Sequence, residues 1–408
     1  MLKFMQLAGR NVFRNKRRTL ISLLVIIFGA GALSLAGGFV LFTYWGLRES
    51  TIHSQTGHLQ IYHKDYFNRE EEKNLELGLD SLQTLREIAL IHMEVNLATP
   101  RIDFTGLISN GDKSAVFVGQ GLDPEQEAQM MGLFGRPESI LALNNVTEDE
   151  VVLGAGLAKS LNAKTGDYLT LMSTTADGAL NALDVLVKGI FSTGISDIDK
   201  RFLKVRNVTA QRLANTKRVR NLVLLLGHTE KTESVRQELQ TQFDRAGLPV
   251  VVKMWLEMAP YYRSVVALYN AIFGFLVFVI FIIVLGSTAN TIIMSISERV
   301  QEIGTLMAMG TSRRRLVQMF LYEGLVLGLL GAVSGLALAG VLSWWINHAE
   351  ILMPPPPGWD RGYRLGIRLE PWLVAVVFGL MLVTAVISTL APAIRAARMK
   401  IVDALGHI

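Results

Sequence analysis

The chain has no cysteine among its 408 residues, which excludes disulfide bridges, thiolate metal sites and cysteine nucleophiles. That lack does not fix the compartment, because a domain in an oxidising space need not use disulfides. Charge is scarce too: 18% of the residues are Asp, Glu, Lys or Arg, against about 25% in soluble domains. Half of the chain is apolar and the mean hydropathy is +0.34, a balance that excludes disorder and argues against a single soluble enzyme. No G-x-x-x-x-G-K-[ST] run occurs, so the chain has no phosphate-cradling loop of its own. Gly154-Ala155-Gly156 lacks the third glycine of a dinucleotide fingerprint and reads as a helix start. His53, His58 and His63 fall five apart, a spacing that converges on neither a helix nor a strand, so no metal site is expected. The Glu70–Glu72 run reads as a solvated face. No Ser/His/Asp arrangement stands out, and nothing points to an active site or to nucleic acid.

What the chain does have is length without charge. Four stretches free of Asp, Glu, Lys and Arg could each span a bilayer, which needs about 20 apolar residues. They run from Thr19 to Leu47, from Ser264 to Ser297, from after Glu323 to Ala349, and from Pro371 to Ile394. The first is too long for a secretory signal and ends at Phe42, Tyr44 and Trp45 rather than at small residues, so it reads as a retained anchor. Residues 1–18 hold six basic and no acidic residues, and Leu2, Met5, Val12 and Phe13 against Lys3 and Arg10 suggest an amphipathic lead-in on the membrane surface. Residues 298–315 carry four basic and two acidic residues, and the tail carries Arg395, Arg398 and Lys400 against Asp403. The positive-inside rule puts these three on the cytoplasmic side. Residues 48–263, with 24 basic and 28 acidic, fall on the other side with the neutral 350–370 connection.

The expected fold is therefore a membrane α-helical protein with four transmembrane helices and a large α+β extracytoplasmic domain between the first two. The expected boundaries are a lead-in over 1–18, helices over 19–47, 264–293, 316–348 and 371–394, an outer domain over 48–263, a cytoplasmic segment over 294–315, a loop over 349–370 and a tail over 395–408. In the outer domain, Gly57–Tyr62, Lys113–Val118, Tyr168–Met172, Asp184–Ile190 and Leu222–Leu226 read as strands. Leu79–Ile91, Val151–Leu161 and Thr232–Ala246, which stops at Gly247, read as helices. Two lobes are possible, and strand order is not legible.

The segment S-I-S-E-R-V-Q-E-I-G-T-L-M-A-M-G-T-S-R-R-R-L carries Ile296, Val300, Ile303 and Met307 as an apolar stripe, with Glu298, Arg299 and Glu302 on the other side. Gly310 is a natural helix stop, and Thr311 or Ser312 can cap the next helix. Such a helix either lies on the membrane or enters a groove on a cytoplasmic partner, and composition does not choose. In the third span, Gly324, Gly328, Gly331 and Gly335 allow close helix packing, although glycine is frequent in membrane helices. Glu323 at its edge is a functional candidate as a charge at the membrane, or it simply reaches the headgroups or pairs with Arg313–Arg315.

E-R-V-Q-E-I-G-T-L-M-A-M-G-T-S-R-R-R-L and the following F-L-Y-E-G-L-V-L-G-L-L-G-A-V-S-G resemble the permease signature of the FtsX/MacB superfamily of ABC transporters. A-G-R-N-V-F-R-N-K-R-R-T-L and P-A-I-R-A-A-R-M-K-I-V-D-A-L are similar to that family's two ends. The outer motifs G-H-L-Q-I-Y-H-K-D-Y-F, F-V-G-Q-G-L-D-P-E-Q-E, V-L-G-A-G-L-A-K-S-L-N-A-K-T-G-D-Y-L-T-L and V-K-G-I-F-S-T-G-I-S-D-I-D resemble lipoprotein-releasing permeases of the LolC/LolE kind. Tyr363–Glu370 and Pro354–Pro357 match no family role.

The resemblance implies an inner-membrane permease with both termini cytoplasmic. It would pair with a second permease, identical or homologous, and bind two copies of a separate cytoplasmic ATPase, which holds the ATP and Mg that this chain does not. It would work by mechanotransmission, with a periplasmic carrier or adaptor and membrane lipid as further partners. Carried over by position, Glu298, Arg299, Glu302, Ile303, Gly304, Met307 and Gly310 would couple to the ATPase. Span one would line an apolar cavity near Phe39 and Val40. Lipoprotein release is the implied task; a macrolide-exporter-like efflux or secretion system is a second, and signalling to a cell-wall hydrolase a third, which usually goes with a smaller outer domain.

Overall fold

The computed structural model describes residues 16–68, 77–132, 138–144, 149–353, 363–401 and 404. Residues 1–15 of the lead-in, the Glu70–Glu72 run, Pro354–Pro357 and the end of the tail lie outside them. The described residues form two compact units, one drawn from 46–264 with 353–363 and the other from the rest.

The chain enters through α1 (Lys16–Thr51) and one turn of π-helix, Ile52–Thr56. The soluble unit then runs β1 (Leu59–His63), α2 (Leu82–Ile91), β2 (Val95–Ser109), β3 (Ser114–Leu122), α3 (Pro124–Met131), β4 (Glu150–Gly154), α4 (Ala155–Leu161), β5 (Tyr168–Thr174), β6 (Leu180–Phe191), β7 (Phe202–Arg206), α5 (Asn207–Ala214), β8 (Asn221–Leu226), α6 (Thr232–Arg245) and β9 (Val250–Met254). Its strands pair in the order β3-β7-β4-β6-β5-β2-β8-β1-β9, and β3 also pairs with β2. Six strands thus close into a ring, while β8, β1 and β9 extend from it as an open sheet.

The fifteen residues of β2 serve both lobes. Residues Val95–Arg101 pair with Leu226–Asn221 of β8, and Ile102–Ser109 pair with Gly121–Ser114 of β3. A strand rises about 3.3 Å per residue, so only one this long can reach both. Closure removes unpaired edges from the ring. Leu85 and Ala89 of α2 and Val235, Leu239 and Phe243 of α6 share the buried apolar core with Leu59, Ile61, Leu222 and Leu224.

The five strands read from sequence are present, with ends shifted by up to four residues. The helix expected over Val151–Leu161 is corrected: Glu150–Gly154 is a strand between β6 and β7, and the helix starts only at Ala155. Leu153 falls at helical spacing from Leu157 by coincidence, and ladder bonds on both sides override it. The helix expected from Leu79 starts at Leu82, because Leu79 bridges Val219 instead.

The second unit contains α8 (Val300–Ala308), α9 (Arg313–His348) and α10 (Pro371–Ala397), together with most of α7 (Pro260–Ser297) and of α1. Among the described residues, four helices are long and apolar enough to cross a membrane: α7, α9, α10 and, over Thr19–Thr56, α1 with its π-helical turn. Ile26, Ala30 and Leu33 of α1, Val284 and Ile292 of α7, Phe320 and Leu327 of α9, and Val377 and Met381 of α10 make one buried cluster. Tyr44 donates to the Val266 carbonyl at 3.0 Å and to Asn270 Oδ1 at 2.8 Å, tying α1 to α7.

The glycines of α9 divide between two neighbours. A Cβ on Gly328 would stand 2.7 Å from Ala385 Cβ of α10, and one on Gly324 would strike Thr389. A Cβ on Gly331 would meet Ile26 Cβ at 2.7 Å, and one on Gly335 would meet the Ile27 carbonyl at 2.6 Å, both on α1. One face of α9 is thus cut for α10 and the next turns for α1.

The segment before α10, unassigned from sequence, crosses α1. Arg368 N donates to the Gly38 carbonyl at 3.0 Å, and a Cβ on Gly38 would come within 2.7 Å of Ile367 Cγ2. Asn347 of α9 holds Ile367 at both ends, donating to its carbonyl at 2.9 Å and accepting from its N–H at 2.8 Å. An extended segment has backbone groups to satisfy, and a side-chain amide, with N–H donors and a carbonyl acceptor side by side, can meet both kinds at once.

Candidate functional site

The joint between α7 and α9 holds the residues singled out for coupling. Helix α7 ends at Ser297, two residues turn, and α8 begins at Val300. The backbone bonds run almost unbroken through the turn: Glu298 N to the Met294 carbonyl at 3.1 Å, Arg299 N to that of Ile296 at 3.0 Å, and Ile303 N to that of Arg299 at 2.9 Å. Gly310 stops α8 at φ +90°, a left-handed conformation that a Cβ would strain. Ser312 takes the cap position of α9, but its hydroxyl makes no capping bond.

The apolar stripe of α8 faces its own bundle. Ile296, Val300, Ile303 and Gly304 are buried, and Met307 packs half-buried on the cluster that contains Leu316, Phe320 and Ala396. Glu298, Gln301, Glu302, Thr305, Met309 and Gly310 are exposed, and so are Arg313–Arg315. Of the seven residues proposed for coupling, Glu298, Glu302 and Gly310 are therefore on the surface, while Arg299, Ile303 and Gly304 are inside.

Arg299 is the departure from the sequence reading, which set it on the polar side. Its guanidinium is buried and donates from Nη1 to Glu323 Oε1 at 2.9 Å. Glu323, read as reaching the headgroups or pairing with Arg313–Arg315, is 2% exposed and holds this partner from α9. The pair lies 24 residues apart in sequence, so no helical spacing could reveal it. Phe39 and Val40 are half-buried on α1, with the Phe39 ring 6.5 Å from that of Tyr269.

The soluble unit contains polar clusters of its own. Contrary to their spacing, His53 and His58 bring their rings to 6.3 Å, because one sits in the π-helical turn and the other before β1. Among the described residues, no group of three or more His, Asp or Glu is arranged for a metal ion. His53 Nδ1 lies 2.7 Å from the Met130 carbonyl. His58 Nδ1 accepts from Leu226 N at 3.1 Å, so Nε2 carries the proton and faces Thr229 Oγ1 at 3.0 Å. Burial, with the nearby His53 and Arg48, pulls the His58 pKa from 6.5 down to about 4.

An unfolded chain protonates His58 near pH 6.5, whereas the folded one resists until about 4, so the unfolded state binds more protons in that window. Stability should fall as the pH drops from 6.5 to 4, by about 3 kcal/mol at most. The protection factors of the β1 and β8 amides in the full chain, each the intrinsic exchange rate at that pH divided by the observed one, are expected to fall over that range, and to lose that pH dependence in His58→Gln. Equal pH dependence in both proteins would contradict it.

The V-L-G-A-G and G-I-F-S-T-G-I-S-D-I-D motifs prove to be one construction. The buried Asp199 carboxylate accepts from Ser192 Oγ at 2.7 Å, Thr193 N at 2.8 Å and Thr193 Oγ1 at 2.7 Å. The Asp199–Lys200 backbone then lies against Gly154 and Gly156, where a Cβ on Gly156 would stand 2.8 Å from Lys200 Cα. Both motifs are accounted for by packing.

Residues 274–401 match the FtsX-like permease C-terminal family, and residues 19–242 match the MacB-like periplasmic core domain family. The lipoprotein-releasing system transmembrane protein LolC of Xylella fastidiosa (strain 9a5c) is 23% identical over 337 residues, covering 78% of this chain and 80% of that one. LolE of Haemophilus influenzae is 24% identical over 330 residues, covering 74% and 75%. A solved structure, the periplasmic region of MacB from Actinobacillus actinomycetemcomitans, covers 52% of this chain and 94% of that one at 13% identity and a TM-score of 0.34. The core-domain match spans more than half of the 408 residues, and the permease match takes in α8, α9, α10 and most of α7. With an outer domain of one kind and a helical unit of the other, the chain belongs to the FtsX/MacB family of ABC transporter permeases.

Proposed function

We propose that this chain is the permease subunit of a transporter that couples ATP hydrolysis by a separate ATPase to the release of lipoproteins from the outer leaflet of the inner membrane. The observation that carries the reading is the division of α8. Its apolar face is used up by the chain's own bundle, and Glu298, Gln301, Glu302, Thr305 and Met309 are left exposed. A helix lying on a membrane would turn its apolar stripe to lipid. This one has it packed on protein and offers a polar face, with Met309 72% exposed at its end. That is the chemistry of a protein docking surface.

The charge pattern supports cytoplasmic termini, four spans and a periplasmic soluble unit. The ATPase binds at α8, in two copies, with a second permease completing the pair. ATP and Mg belong to the ATPase. ATP-driven closure of the ATPases moves the joint at 298–312, and the long helices carry the displacement to the periplasmic side. The lipoprotein cargo rests on the names of the LolC and LolE relatives. Phe39 and Val40, half-buried on α1, would meet the acyl chains, and a periplasmic carrier would receive them. The match to the MacB-like core favours a second reading, export of periplasmic cargo through an adaptor and an outer-membrane duct.

Gentle purification of the tagged chain from native membranes, followed by mass spectrometry, separates these. A small ATPase with acylated lipoproteins supports the first reading. The same ATPase with an adaptor and an outer-membrane channel supports the second. Glu302→Arg reverses the charge of an exposed side chain and is expected to reduce the recovered ATPase at least fivefold, about 1 kcal/mol of binding. Undiminished recovery with full cargo-stimulated hydrolysis would refute docking at α8.

A further inference from the structure

We infer that Arg299 and Glu323 are a positioning pair that fixes the joint between α7 and α8 onto α9, so that a push on α8 moves α9 instead of being absorbed at the joint. This rests on the proposed docking of an ATPase at α8 and adds the residues through which the load leaves it.

A two-residue turn between a 38-residue helix and a 9-residue helix is a natural place for bending. Arg299 is one of those two residues, with backbone angles of φ −119° and ψ 16° outside the helical well. Its side chain leaves the joint, passes inside and meets Glu323 Oε1 at 2.9 Å, with only 8% and 3% of the two side chains exposed. Glu323 is anchored in turn. At the next residue, Gly324, there is no room for a side chain: a Cβ there would strike Thr389 and stand 3.2 Å from the Ala385 carbonyl of α10. The joint is thus tied to a turn of α9 that is packed close against α10.

A buried ion pair adds little net stability compared with an apolar pair of similar size. Its best-attested use is to select one register over others, since the geometry of a charged hydrogen bond is directional and the cost of breaking it inside protein is high. Ile303 and Met307 hold α8 down by contacts that tolerate sliding. The pair does not.

The test uses the absence of cysteine from the chain. Spin labels are placed on cysteines introduced at Thr305 and Val341, both exposed, and their separation is measured by double electron–electron resonance in the full-length protein. The parent is expected to give one narrow distance distribution. Arg299→Met/Glu323→Leu, which keeps the site filled with apolar side chains of similar length, should at least double its width, and so should Glu323→Gln alone. Unchanged width in the double variant, or in Glu323→Gln if the double variant is not recovered, overturns the proposal.

In the complex purified with its ATPase, the double variant is compared with the parent at equal amounts of bound ATPase. Cargo released per ATP should fall at least tenfold. Parental release per ATP despite a broadened distribution would overturn transmission through the pair. If the parent brings down no ATPase, the docking reading fails, and the distance measurement still judges the pair.

Discussion

Glu127→Ala is expected to cost the soluble unit about 3–5 kcal/mol, the usual loss when one member of a buried ion pair is removed. Glu127 is fully buried on α3, and its carboxylate accepts from Arg101 Nη2 at 2.7 Å and from Arg101 Nε at 3.2 Å. Arg101 Nη1 donates to the Gln55 carbonyl, so the guanidinium also pins the π-helical turn. A second cation shares the site. Lys204 is buried over the Phe191 ring, 5.6 Å from its centroid, and burial draws its pKa down to about 8, partly offset by Glu127. Removing Glu127 leaves two buried cations and no counter-charge. Arg101→Met/Glu127→Leu should recover most of the loss, because it removes a charge of each sign. Urea unfolding of the full-length protein, followed by exchange of the β2 amides, reads both. A loss below about 1 kcal/mol in Glu127→Ala would show that water reaches the site.

Gly335→Leu is expected to separate α1 from α9. The first carbon of the new side chain would stand 2.6 Å from the Ile27 carbonyl oxygen and 2.7 Å from Ala30 Cβ. Both belong to the helix framework of α1, where no rotamer change gives relief. Overpacking a core costs about 1–3 kcal/mol when side chains can shift, and a backbone obstacle should take the cost to the top of that range or beyond. Gly340 is the control: a Cβ there meets nothing within 4 Å, so Gly340→Leu should be tolerated within about 0.5 kcal/mol. The two variants, compared by the midpoint of unfolding in mixed micelles, should differ clearly. Equal midpoints would mean that α1 is not held by this contact.

These two sites differ in how legible they were. Gly331 and Gly335 stand out as a small-residue pair from spacing alone, because a helix repeats its faces every three to four residues. Which helix they serve did not follow, since Gly324 and Gly328 have the same spacing and meet α10 instead. Nothing local marks Glu127. It sits in P-E-Q-E-A-Q, where alternating acids read as surface, and its partner is 26 residues away on a strand. Arg299 is similar: its charge argued for the polar side of α8, whereas a partner on α9 made burial affordable. The Val151–Leu161 stretch failed for a related reason. Its leucines satisfy helical spacing, but β6 and β7 offered Val151–Leu153 ladder bonds that no window of sequence contains.

Amino-acid order by itself determined the long uncharged helices, the break at Gly310, the amphipathic α8 and the family signature, because each rests on composition or on spacing within a turn or two. Only the tertiary structure decided the closed ring of strands, the two-lobe use of β2, the strap of Arg368 across Gly38, and the Arg299–Glu323 and Arg101–Glu127 pairs. Each of these is a meeting of residues distant along the chain, settled by directional hydrogen bonds and by which surfaces can approach, and such terms depend on position in space rather than on order.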